Sequence, residues 1–429
     1  MNNDTIFALS SGRGKSGVAV IRIAGDDLGP LFSEMSGRMA FDARRAYMVN
    51  FRDGDDLIDQ CVMIYFAAPH SFTGTDVIEI QTHGAPAVIE RVFTYLKAHG
   101  ARMATPGEFS RRAFYNNKMD LADVDGLAAL LDAKTERQRR QAIHAMTGDS
   151  HQYDAWRREM IEIAAYAAAI LDYADDDLPA NIGDVIHNKT QNLRDEIMGA
   201  ISRYAAVRAV RGGFNIVLVG ETNVGKSSLF NRILGANRAI VSDVPGTTRD
   251  VVGVTMDIDG YLVNLADTAG IRETTDMIEQ MGIDRTHDEI AAADLVLRVV
   301  TDDMAPSPSQ NEILIINKSD LGRGDRGRGD AIYTSAKTCA GMDQLMDAVR
   351  RRMHDMMDAT DDALVINART HALLGDAADN LGAAITAGDN YDIMAEHVRR
   401  AADDVGQILG TINPTEVMDA TFSQLCLGK

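Results

Sequence analysis

Residues 220–227 constrain the fold of this chain more than any other part of its sequence. They read Gly-Glu-Thr-Asn-Val-Gly-Lys-Ser and fit the pattern G-x-x-x-x-G-K-S/T. An almost continuous apolar run, Phe214–Val219, precedes them, and a helical run over residues 228–234 follows. Such an apolar run is typical of a strand that is covered on both faces. The sequence therefore predicts a strand, a phosphate-binding loop and a helix within a parallel α/β domain.

The residues of this loop have separate chemical tasks. Its glycines let backbone N–H groups wrap phosphates at a helix N-terminus. Lys226 reaches the terminal phosphates, and the hydroxyl of Ser227 can bind Mg²⁺. The side-chain oxygen of Asn223 lies near the β- and γ-phosphates, where a bound monovalent cation could do the work of an arginine finger. We therefore assign nucleotide binding to Asn223, Val224, Gly225, Lys226, Ser227 and Ser228.

Four further motifs follow in the order that a GTPase requires. A Thr hydroxyl in residues 246–250, Gly-Thr-Thr-Arg-Asp, can complete the Mg²⁺ shell, and the Asp of residues 267–270, Asp-Thr-Ala-Gly, can hold that shell. The Asp of residues 317–320, Asn-Lys-Ser-Asp, accepts from the ring N–H and the exocyclic amine of guanine, a donor pair that adenine lacks. Residues 335–337, Ser-Ala-Lys, would close over the base. Together the motifs predict GTP, bound by Gly246, Thr247, Thr248, Asp267, Thr268, Ala269, Gly270, Asn317, Lys318, Asp320, Ser335, Ala336 and Lys337.

The residue after the Asp-Thr-Ala-Gly motif bears on how fast GTP is hydrolysed. Ile271 stands where many GTPases carry a glutamine that orients the attacking water. An apolar side chain cannot orient water, so another group must do so, or hydrolysis is very slow. Acidic residues such as Glu279 lie just downstream. Arg249 and Arg272 are either stabilisers of transition-state charge or ordinary surface side chains.

Two other sequence patterns flank this α/β segment. Up to about residue 118, short apolar runs such as residues 18–23 alternate with turns, which predicts a compact α+β domain. Elsewhere, apolar residues recur at helical spacing, which predicts a bundle of amphipathic helices. We therefore expect three parts: an α+β domain over 1–118, a discontinuous all-α domain over 119–212 and 361–429, and an inserted α/β P-loop domain over 213–360.

Composition excludes several classes of protein. The 429 residues carry 43 basic and 63 acidic side chains, so the formal net charge is −20. This charge argues against nonspecific nucleic-acid binding, and arginine clusters such as residues 350–352 form either a local basic patch or solvated helix faces. Cys61, Cys339 and Cys426 are too far apart in sequence for a disulfide framework or a zinc site. With neither a secretory signal nor an apolar run of the ~18 residues that a membrane helix needs, we expect a cytoplasmic protein with no membrane partner.

The N-terminal motifs and the C-terminus resemble one family closely. Residues 69–74 read Pro-His-Ser-Phe-Thr-Gly, residues 79–84 read Glu-Ile-Gln-Thr-His-Gly, and residues 106–110 read Pro-Gly-Glu-Phe-Ser. Residues 426–429 read Cys-Leu-Gly-Lys. With the GTP motifs, these features make essentially the whole chain similar to the MnmE/TrmE tRNA modification GTPases, whose C-terminus is usually Cys-Ile-Gly-Lys.

This resemblance implies an architecture and a set of partners. It implies an N-terminal folate-binding and dimerisation domain, a discontinuous helical domain and an inserted G domain. It also implies a homodimer that joins an FAD-dependent partner protein of the MnmG/GidA type in a heterotetramer and acts on tRNA. Together they would add an aminomethyl or carboxymethylaminomethyl group to C5 of the wobble uridine of certain tRNAs. A reduced folate such as 5-formyltetrahydrofolate would supply the one-carbon unit, and GTP hydrolysis would drive a conformational cycle.

The resemblance also implies roles for particular residues. It places reduced folate at Arg22, Glu79, Lys118 and Lys429, and a carboxylate such as Glu79 can accept from the 2-amino and N3–H edge of a pterin. It places K⁺ at Asn223, Ser242, Val244 and Thr247, and Mg²⁺ at Ser227 and Thr248. Glu279 would orient the attacking water through a bridging water. The implied catalytic set is Glu279, Lys226 and Thr248, and the implied GTP set adds Ser242, Asp243, Val244 and Pro245.

Other functions stay open at this point. The GTP motifs also suit a GTPase switch for ribosome assembly, although such proteins usually carry a basic RNA-binding domain. A folate-dependent methyltransferase with a regulatory G domain is a third possibility. Cys426 is either a nucleophile toward the uridine, as a thiolate near Lys429 would allow, or a residue that packs the tail in place.

Overall fold

A computed structural model of the chain describes residues 4–172, 181–240, 253–267, 290, 293–301, 306–322, 329–357, 364, 367–412, 421–422, 425 and 428. The chain divides into two compact units, and each of them contains one sheet. Unit one contains Met1–Ala128, Met146–Ile186 and Ala383–Lys429, and unit two contains Ala129–Ala145 and His187–Gly382. Among the helices described, none is long and apolar enough to cross a membrane.

Unit one is built on a six-stranded sheet with the order β3-β4-β5-β2-β1-β6. The short β6 pairs with β1 in parallel, and the other neighbours pair antiparallel. The strands are β1 Ile6–Leu9, β2 Ser16–Gly25, β3 Ala46–Asp53, β4 Asp56–Phe66, β5 Asp76–Gly84 and β6 Arg102–Met103.

The two faces of this sheet have different neighbours because side chains alternate along each strand. On one face, Ile21 and Ile80 belong to a core shared with helices α1 (Gly29–Ser36) and α2 (Pro86–Ala98). On the other face, Ala24 and Val77 pack with Phe109 of helix α3, which spans Glu108–Tyr115. Arg22 and Glu79 lie two residues from Ala24 and Val77, so their side chains share the face that α3 partly covers.

The remaining helices follow from amphipathic periodicity. In the last of them, α12, the buried residues Met394, Val398, Ala401 and Val405 recur every three or four positions, and α12 packs along α6 within unit one. The side chain of Thr135 caps the start of α5 by accepting from the backbone N–H of Gln138. The helices are α4 Leu121–Asp132, α5 Glu136–His144, α6 Ser150–Asp172, α7 Ile182–Ser202, α8 Tyr204–Gly212, α9 Lys226–Ala236, α10 Met342–Met357, α11 Ala368–Thr386 and α12 Tyr391–Leu409.

Unit two contains a seven-stranded sheet with the order β13-β12-β11-β7-β10-β9-β8. The first five strands in this order are parallel, whereas β9 and β8 pair antiparallel at one edge. The apolar core joins this sheet to α8, α9 and α10. The strands are β7 Phe214–Val219, β8 Arg238–Ala239, β9 Gly253–Ile258, β10 Tyr261–Asp267, β11 Leu295–Val300, β12 Glu312–Ile316 and β13 Ala331–Tyr333.

Several sequence predictions are confirmed at the level of elements. The predicted strands at 214–219 and 295–300 have those bounds, and helices joined by short connections make up most of the described part of segment 119–212. In unit one the strands are longer than the apolar runs that predicted them: β4 begins at Asp56, because backbone pairing continues through polar residues. The helices of the predicted all-α part are shared between the two compact units. The domain boundaries near 118, 212 and 361 stay predictions.

Candidate functional site

The phosphate loop joins the end of β7 to the start of α9. Gly225 adopts a φ of +98°, and a Cβ added there would lie 2.4 Å from Nδ2 of Asn317, so this position needs glycine. Lys226 is the first residue of α9, and its Nζ donates to the carbonyl oxygens of Gly220 and Glu221, both at 2.9 Å. The loop therefore curls around the ammonium group, which lies where it can reach the phosphates of a nucleotide.

A hydroxyl and a carboxylate meet beside this loop. The Oγ of Ser227 donates to Oδ2 of Asp267 at 2.9 Å. Asp267 is the last residue of β10 and lies next to Leu218 of the parallel strand β7, so the carboxyl ends of two neighbouring strands bring the two groups together. Mg²⁺ prefers oxygen ligands of this kind in proteins. Ser227 and Asp267 thus form a donor set that fits Mg²⁺, either directly or through a water.

The predicted base-recognition motif is tied directly to the phosphate loop. Nδ2 of Asn317 donates to the carbonyl of Val224 at 2.9 Å, and Nζ of Lys318 donates to the carbonyl of Asn223 at 2.6 Å. The amide oxygen of Asn317 accepts from Oγ1 of Thr334 and from the backbone N–H of Ala336, both at 3.3 Å. Asn317 is almost fully buried, so it braces the loop instead of standing free in the site.

Asp320 is the predicted acceptor for the base. The Oγ of Ser335 donates to Oδ1 of Asp320 at 2.7 Å. This hydrogen bond is the largest of the effects that lower the pKa of Asp320, and the nearby ammonium groups of Lys337 and Lys318 contribute in the same direction. Asp320 is therefore a charged acceptor at neutral pH, which suits the paired N–H donors of guanine.

Part of the predicted nucleotide site lies outside the described residues. Ser228 and Lys337 are described and exposed. The predicted residues that fall outside the description are Ser242, Asp243, Val244, Pro245, Gly246, Thr247, Thr248, Thr268, Ala269, Gly270, Glu279, Cys426 and Lys429.

In unit one, Arg22 and Glu79 form an ion pair across neighbouring strands. The two residues are register partners in β2 and β5, and Nε and Nη2 of Arg22 donate to Oε1 of Glu79 at 3.1 and 2.8 Å. Their side chains are only 14% and 20% exposed. The guanidinium carbon lies 5.3 Å from the ring centroid of Phe72 and 5.9 Å from that of Phe109. Two aromatic rings and the sheet therefore fix the direction of the guanidinium group.

The C-terminal tail reaches this pair. The carbonyl oxygen of Gly428 accepts from Nη1 of Arg22 and from Oγ of Ser10, both at 3.1 Å. Phe422 is fully buried, and a Cβ added to Gly107 would lie 2.1 Å from the carbonyl oxygen of Phe422. The tail thus docks through close backbone contacts, which place the residue before Lys429 beside Arg22.

Lys118 takes a different position from the other predicted folate residues. It follows α3, and its backbone N–H donates to the carbonyl of Ala113 at 2.8 Å, while its side chain is exposed. Among the described contacts, none joins the Lys118 ammonium to Arg22 or Glu79. The structure therefore brings Arg22, Glu79 and Gly428 together and leaves Lys118 on the surface.

Comparisons with known proteins decide the family. The family model described as "MnmE helical domain" matches residues 121–426, more than half of the chain, and the one described as "GTP-binding protein TrmE N-terminus" matches residues 5–118. A relative from Dinoroseobacter shibae, named tRNA modification GTPase MnmE, is 38% identical over 439 residues, which cover 99% of this chain and 100% of the relative. The chain belongs to the MnmE family of tRNA modification GTPases. A second MnmE relative, from a Chelativorans species, is 40% identical over 436 residues, 99% of this chain and 98% of its own length.

Family membership gives the chain its activity class: it is a GTP-binding, P-loop GTPase of tRNA modification. Among solved structures, the G domain of the T. maritima FeoB iron transporter is 24% identical and covers 33% of this chain and 98% of its own length. Its TM-score of 0.22 is too low to support an argument about this chain.

One of the motifs that resemble the MnmE family has a structural role beside the ion pair. Glu108 at the start of α3 accepts from Arg102 and from the backbone N–H of Thr105, and Arg112 lies within 3.4 Å of it. Burial opposes the charged form of Glu108, but these donors and the two arginine charges outweigh burial and lower its pKa to about 2. Arg102 and Arg112 also pair with Asp4. The network holds the start of α3, including Phe109, over the sheet.

Sequence reasoning missed Ser10 and the structural roles of Asn317 and Glu108. Ser10 carries no recognisable motif, since its partner Gly428 stands 418 positions away. The bracing role of Asn317 was hidden because the residue was assigned to the base site. For Glu108 a signal was present, because an acidic residue in the first turn of a helix is typical of a stabilised N-terminus.

Proposed function

We propose that the chain binds GTP with Mg²⁺ at the phosphate loop and hydrolyses it. The observation that carries this proposal is the attachment of the Asn317 motif to the loop, which sets the Asp320 acceptor at a fixed position relative to Lys226 and Ser227. Lys226 exchanges its two loop carbonyls for phosphate oxygens. Ser227 holds Mg²⁺ with Thr248, and Asp267 supports its shell. The metal, when bound, neutralises charge on the phosphates.

We also propose a K⁺ site beside the phosphates, formed by Asn223, Ser242, Val244 and Thr247. Asn223 is exposed and has a φ of +64°, so its side chain can turn toward a bound nucleotide. The ion, when bound, supplies positive charge in place of an arginine finger. Glu279 orients the attacking water, a task that Ile271 cannot perform.

The ion pair in unit one fits a reduced folate such as 5-formyltetrahydrofolate. Both hydrogen bonds from Arg22 go to Oε1 of Glu79, so Oε2 can accept from the 2-amino and N3–H edge of a pterin. The adjacent Phe72 ring offers an apolar surface for the same ligand. Lys118 is exposed, so its side chain can turn toward the anionic end, and we assign Lys429 to the same end of the ligand. The folate, when bound, supplies a one-carbon unit.

These two activities combine in a reaction on tRNA. We propose that the chain acts as a cytoplasmic homodimer with an FAD-dependent partner of the MnmG/GidA type. Together they add an aminomethyl or carboxymethylaminomethyl group to C5 of the wobble uridine. Family membership supports the tRNA substrate, and the reduced-folate site supports the source of the added carbon. Hydrolysis of GTP drives the conformational cycle of the complex.

The nucleotide part is tested by base specificity and by the choice of monovalent ion. We expect the wild type to hydrolyse GTP faster in KCl than in NaCl, and an Asn223→Ala variant to lose that difference. Asp320→Asn replaces an acceptor by a donor, so affinity should move from GDP to xanthosine diphosphate, whose ring carries an oxygen in place of the amine. Unchanged GDP affinity in this variant would exclude Asp320 as the base acceptor.

The folate part is tested by calorimetric titration of 5-formyltetrahydrofolate into the full-length protein and its Arg22→Ala variant. We expect saturable binding to the wild type and at least a tenfold loss in the variant. Arg22→Lys keeps the charge and controls for loss of the fold, which the fluorescence of Trp156, the single tryptophan, monitors inside unit one. A folded Arg22→Ala variant that binds as tightly as the wild type would refute the placement of the folate.

A further inference from the structure

Helix α8 meets strand β7 at two consecutive glycines. Gly212 is the last residue of α8, and Gly213 stands between it and the first residue of β7 with a φ of +93°. The predicted boundary between the all-α and α/β parts falls between these two residues. Glycines give the backbone wide freedom, and the last carbonyls of a helix have no partner inside the helix. By these local rules, the junction would be a flexible hinge.

In the fold, two amide side chains from different elements bind the last carbonyls of α8. Nε2 of Gln138 in α5 donates to the carbonyl oxygens of Val210 and Arg211, at 3.1 and 3.0 Å. Nδ2 of Asn264 in β10 donates to the carbonyl oxygen of Gly212 at 3.0 Å. The end of α8 is therefore held by a helix on one side and by the seven-stranded sheet on the other.

Further hydrogen bonds fix the orientation of both amides. Oε1 of Gln138 accepts from the backbone N–H groups of Lys134 and Thr135, at 2.7 and 3.2 Å. Oδ1 of Asn264 accepts from Oγ1 of Thr255 in β9 at 3.1 Å. Because each amide oxygen is bound elsewhere, each NH₂ group is directed at the end of α8.

The amide of Asn264 also fills the space beside Gly213. A Cβ added to Gly213 would lie 2.5 Å from Nδ2 of Asn264. The same Nδ2 donates at 3.1 Å to Oδ1 of Asn215, the register partner of Asn264 in β7. Asn264 thus binds the chain on both sides of the junction, at Gly212 before it and at Asn215 after it.

A second contact holds α5 on the sheet. The guanidinium carbon of Arg137 lies 4.5 Å from the ring centroid of Tyr261, the first residue of β10. Tyr261 is buried in the core of unit two, where the ring of His354 from α10 meets it edge-on. Helix α5 therefore rests on α8 through Gln138 and on the sheet through Arg137, and all of these elements belong to unit two.

We propose that Gln138 and Asn264 lock α5 and α8 to the seven-stranded sheet, so that these parts move as one body when the bound nucleotide changes. Asn264 lies three positions before Asp267 on β10, so the lock is attached to a strand that ends at the nucleotide site. The body that responds to GTP is then larger than the predicted α/β domain, and the two glycines do not act as a hinge. The nucleotide-dependent part of this inference rests on the proposed GTP cycle.

Pulsed electron paramagnetic resonance on the full-length chain tests the lock. Spin-labelled noncanonical residues replace Arg140 of α5 and Gln310 before β12 in one pair, and Asn231 of α9 and Gln310 in a reference pair; all three positions are exposed. We expect a narrow distance distribution for the first pair in the wild type, with the same centre in GDP and in a nonhydrolysable GTP analogue.

The variant that opens the lock is Gln138→Glu combined with Asn264→Asp. It keeps the acceptor oxygens and removes the amide donors to α8. We expect the distribution of the first pair to become about twofold broader, since α5 and α8 are no longer held in one position, and that of the reference pair to stay unchanged. GDP affinity should equal that of the wild type, which shows that the nucleotide site is folded. If the double variant does not bind GDP, Gln138→Glu alone, which changes no residue of the sheet, takes its place.

Matched controls and the remaining outcomes decide the inference. Gln344→Glu with Asn192→Asp makes the same chemical changes at exposed positions of unit two and should leave both distributions as in the wild type. An unchanged width for the first pair in a folded lock variant would refute the lock. A first-pair distance that changes with nucleotide in the wild type, while the reference distance does not, would also overturn the inference. A wild type that binds no GTP would refute the proposed function, whereas the width measured without nucleotide would still decide on the lock.

Discussion

The two candidate sites of this chain are built in opposite ways. In the nucleotide site, Lys226 and Ser227 begin helix α9, directly after the short loop that follows β7. In the proposed folate site, Arg22 contacts Glu79, which is 57 positions away in the sequence, and Gly428, which is 406 positions away. The first site depends on local backbone geometry, and the second depends on strand register and on the docking of a distant tail.

The two sites also differ in what holds them in shape. Around the phosphate loop, most of the described hydrogen bonds run from side chains to backbone carbonyls, such as that of Asn317 to Val224. Near Arg22, ion pairs hold the structure, because Arg102 and Arg112 each pair with both Asp4 and Glu108. We therefore expect the proposed folate site to lose its supporting ion pairs in acid before the nucleotide site loses its hydrogen bonds.

The largest effect should come from Lys226→Ala. Its ammonium group is the charge that the loop directs at the transferred phosphate, so we expect kcat for GTP hydrolysis to fall about 100- to 1000-fold. Phosphate release under saturating GTP measures this. Lys134→Ala, an exposed lysine of unit two, should keep wild-type kcat. A loss below tenfold in Lys226→Ala would show that charge from elsewhere dominates the site.

A smaller effect should come from Glu108→Gln, which removes one charge from the ion pairs that hold α3 beside the proposed folate site. Because the folded pKa of Glu108 is lowered to about 2, its charge stabilises the fold above pH 4.5 and the benefit disappears as pH falls toward 2. We expect the variant to lose about 2 kcal/mol of unfolding free energy at pH 7 and almost nothing near pH 2. Urea unfolding followed by the fluorescence of Trp156 measures this.

The matched control for Glu108 is Glu396→Gln. Glu396 forms an exposed pair with Arg400 four residues later, the same spacing as Glu108 and Arg112. We expect Glu396→Gln to lower the free energy of unfolding by less than about 0.5 kcal/mol. If the two variants lose the same free energy of unfolding, or if the loss in Glu108→Gln does not change with pH, ion pairs do not stabilise this site as we propose.

The smallest effect should come from Ser335→Ala. The serine hydroxyl is one donor to Asp320, and its loss removes one neutral-to-charged hydrogen bond. We expect GDP affinity to fall about two- to tenfold, with the nucleotide preference unchanged. Fluorescence titration with a labelled GDP measures this, with Ser309→Ala as an exposed control. A loss above a hundredfold would mean that Ser335 positions more than the Asp320 side chain.

The same contrast explains what could be predicted from sequence. The phosphate loop and strands such as Phe214–Val219 were predictable, because their signal lies within a few residues. Arg22 and Glu79 were singled out only by resemblance, and their ion pair was not predicted, since no spacing rule gives the register of β2 and β5.

Long-range backbone contacts were also beyond prediction. Gly107 and Gly428 lie in motifs that carry the family resemblance, but the sequence does not show what either residue contacts. In the fold, a Cβ on Gly107 would meet the backbone of Phe422, and a Cβ on Gly428 would meet Leu9 and Ser10. The need for glycine at both positions arises from these contacts of the tail and from the positive φ angles of +69° at Gly107 and +92° at Gly428.

The most direct test of this account is calorimetric titration of 5-formyltetrahydrofolate into a chain that ends at Leu425, beside the full-length chain. The shortened chain keeps Phe422 and Leu425, which anchor the tail, but lacks Gly428 and Lys429. We expect it to lose at least tenfold in folate affinity while its GDP affinity stays the same. Equal folate affinity in the two chains would contradict the claim that both ends of the chain form the folate site.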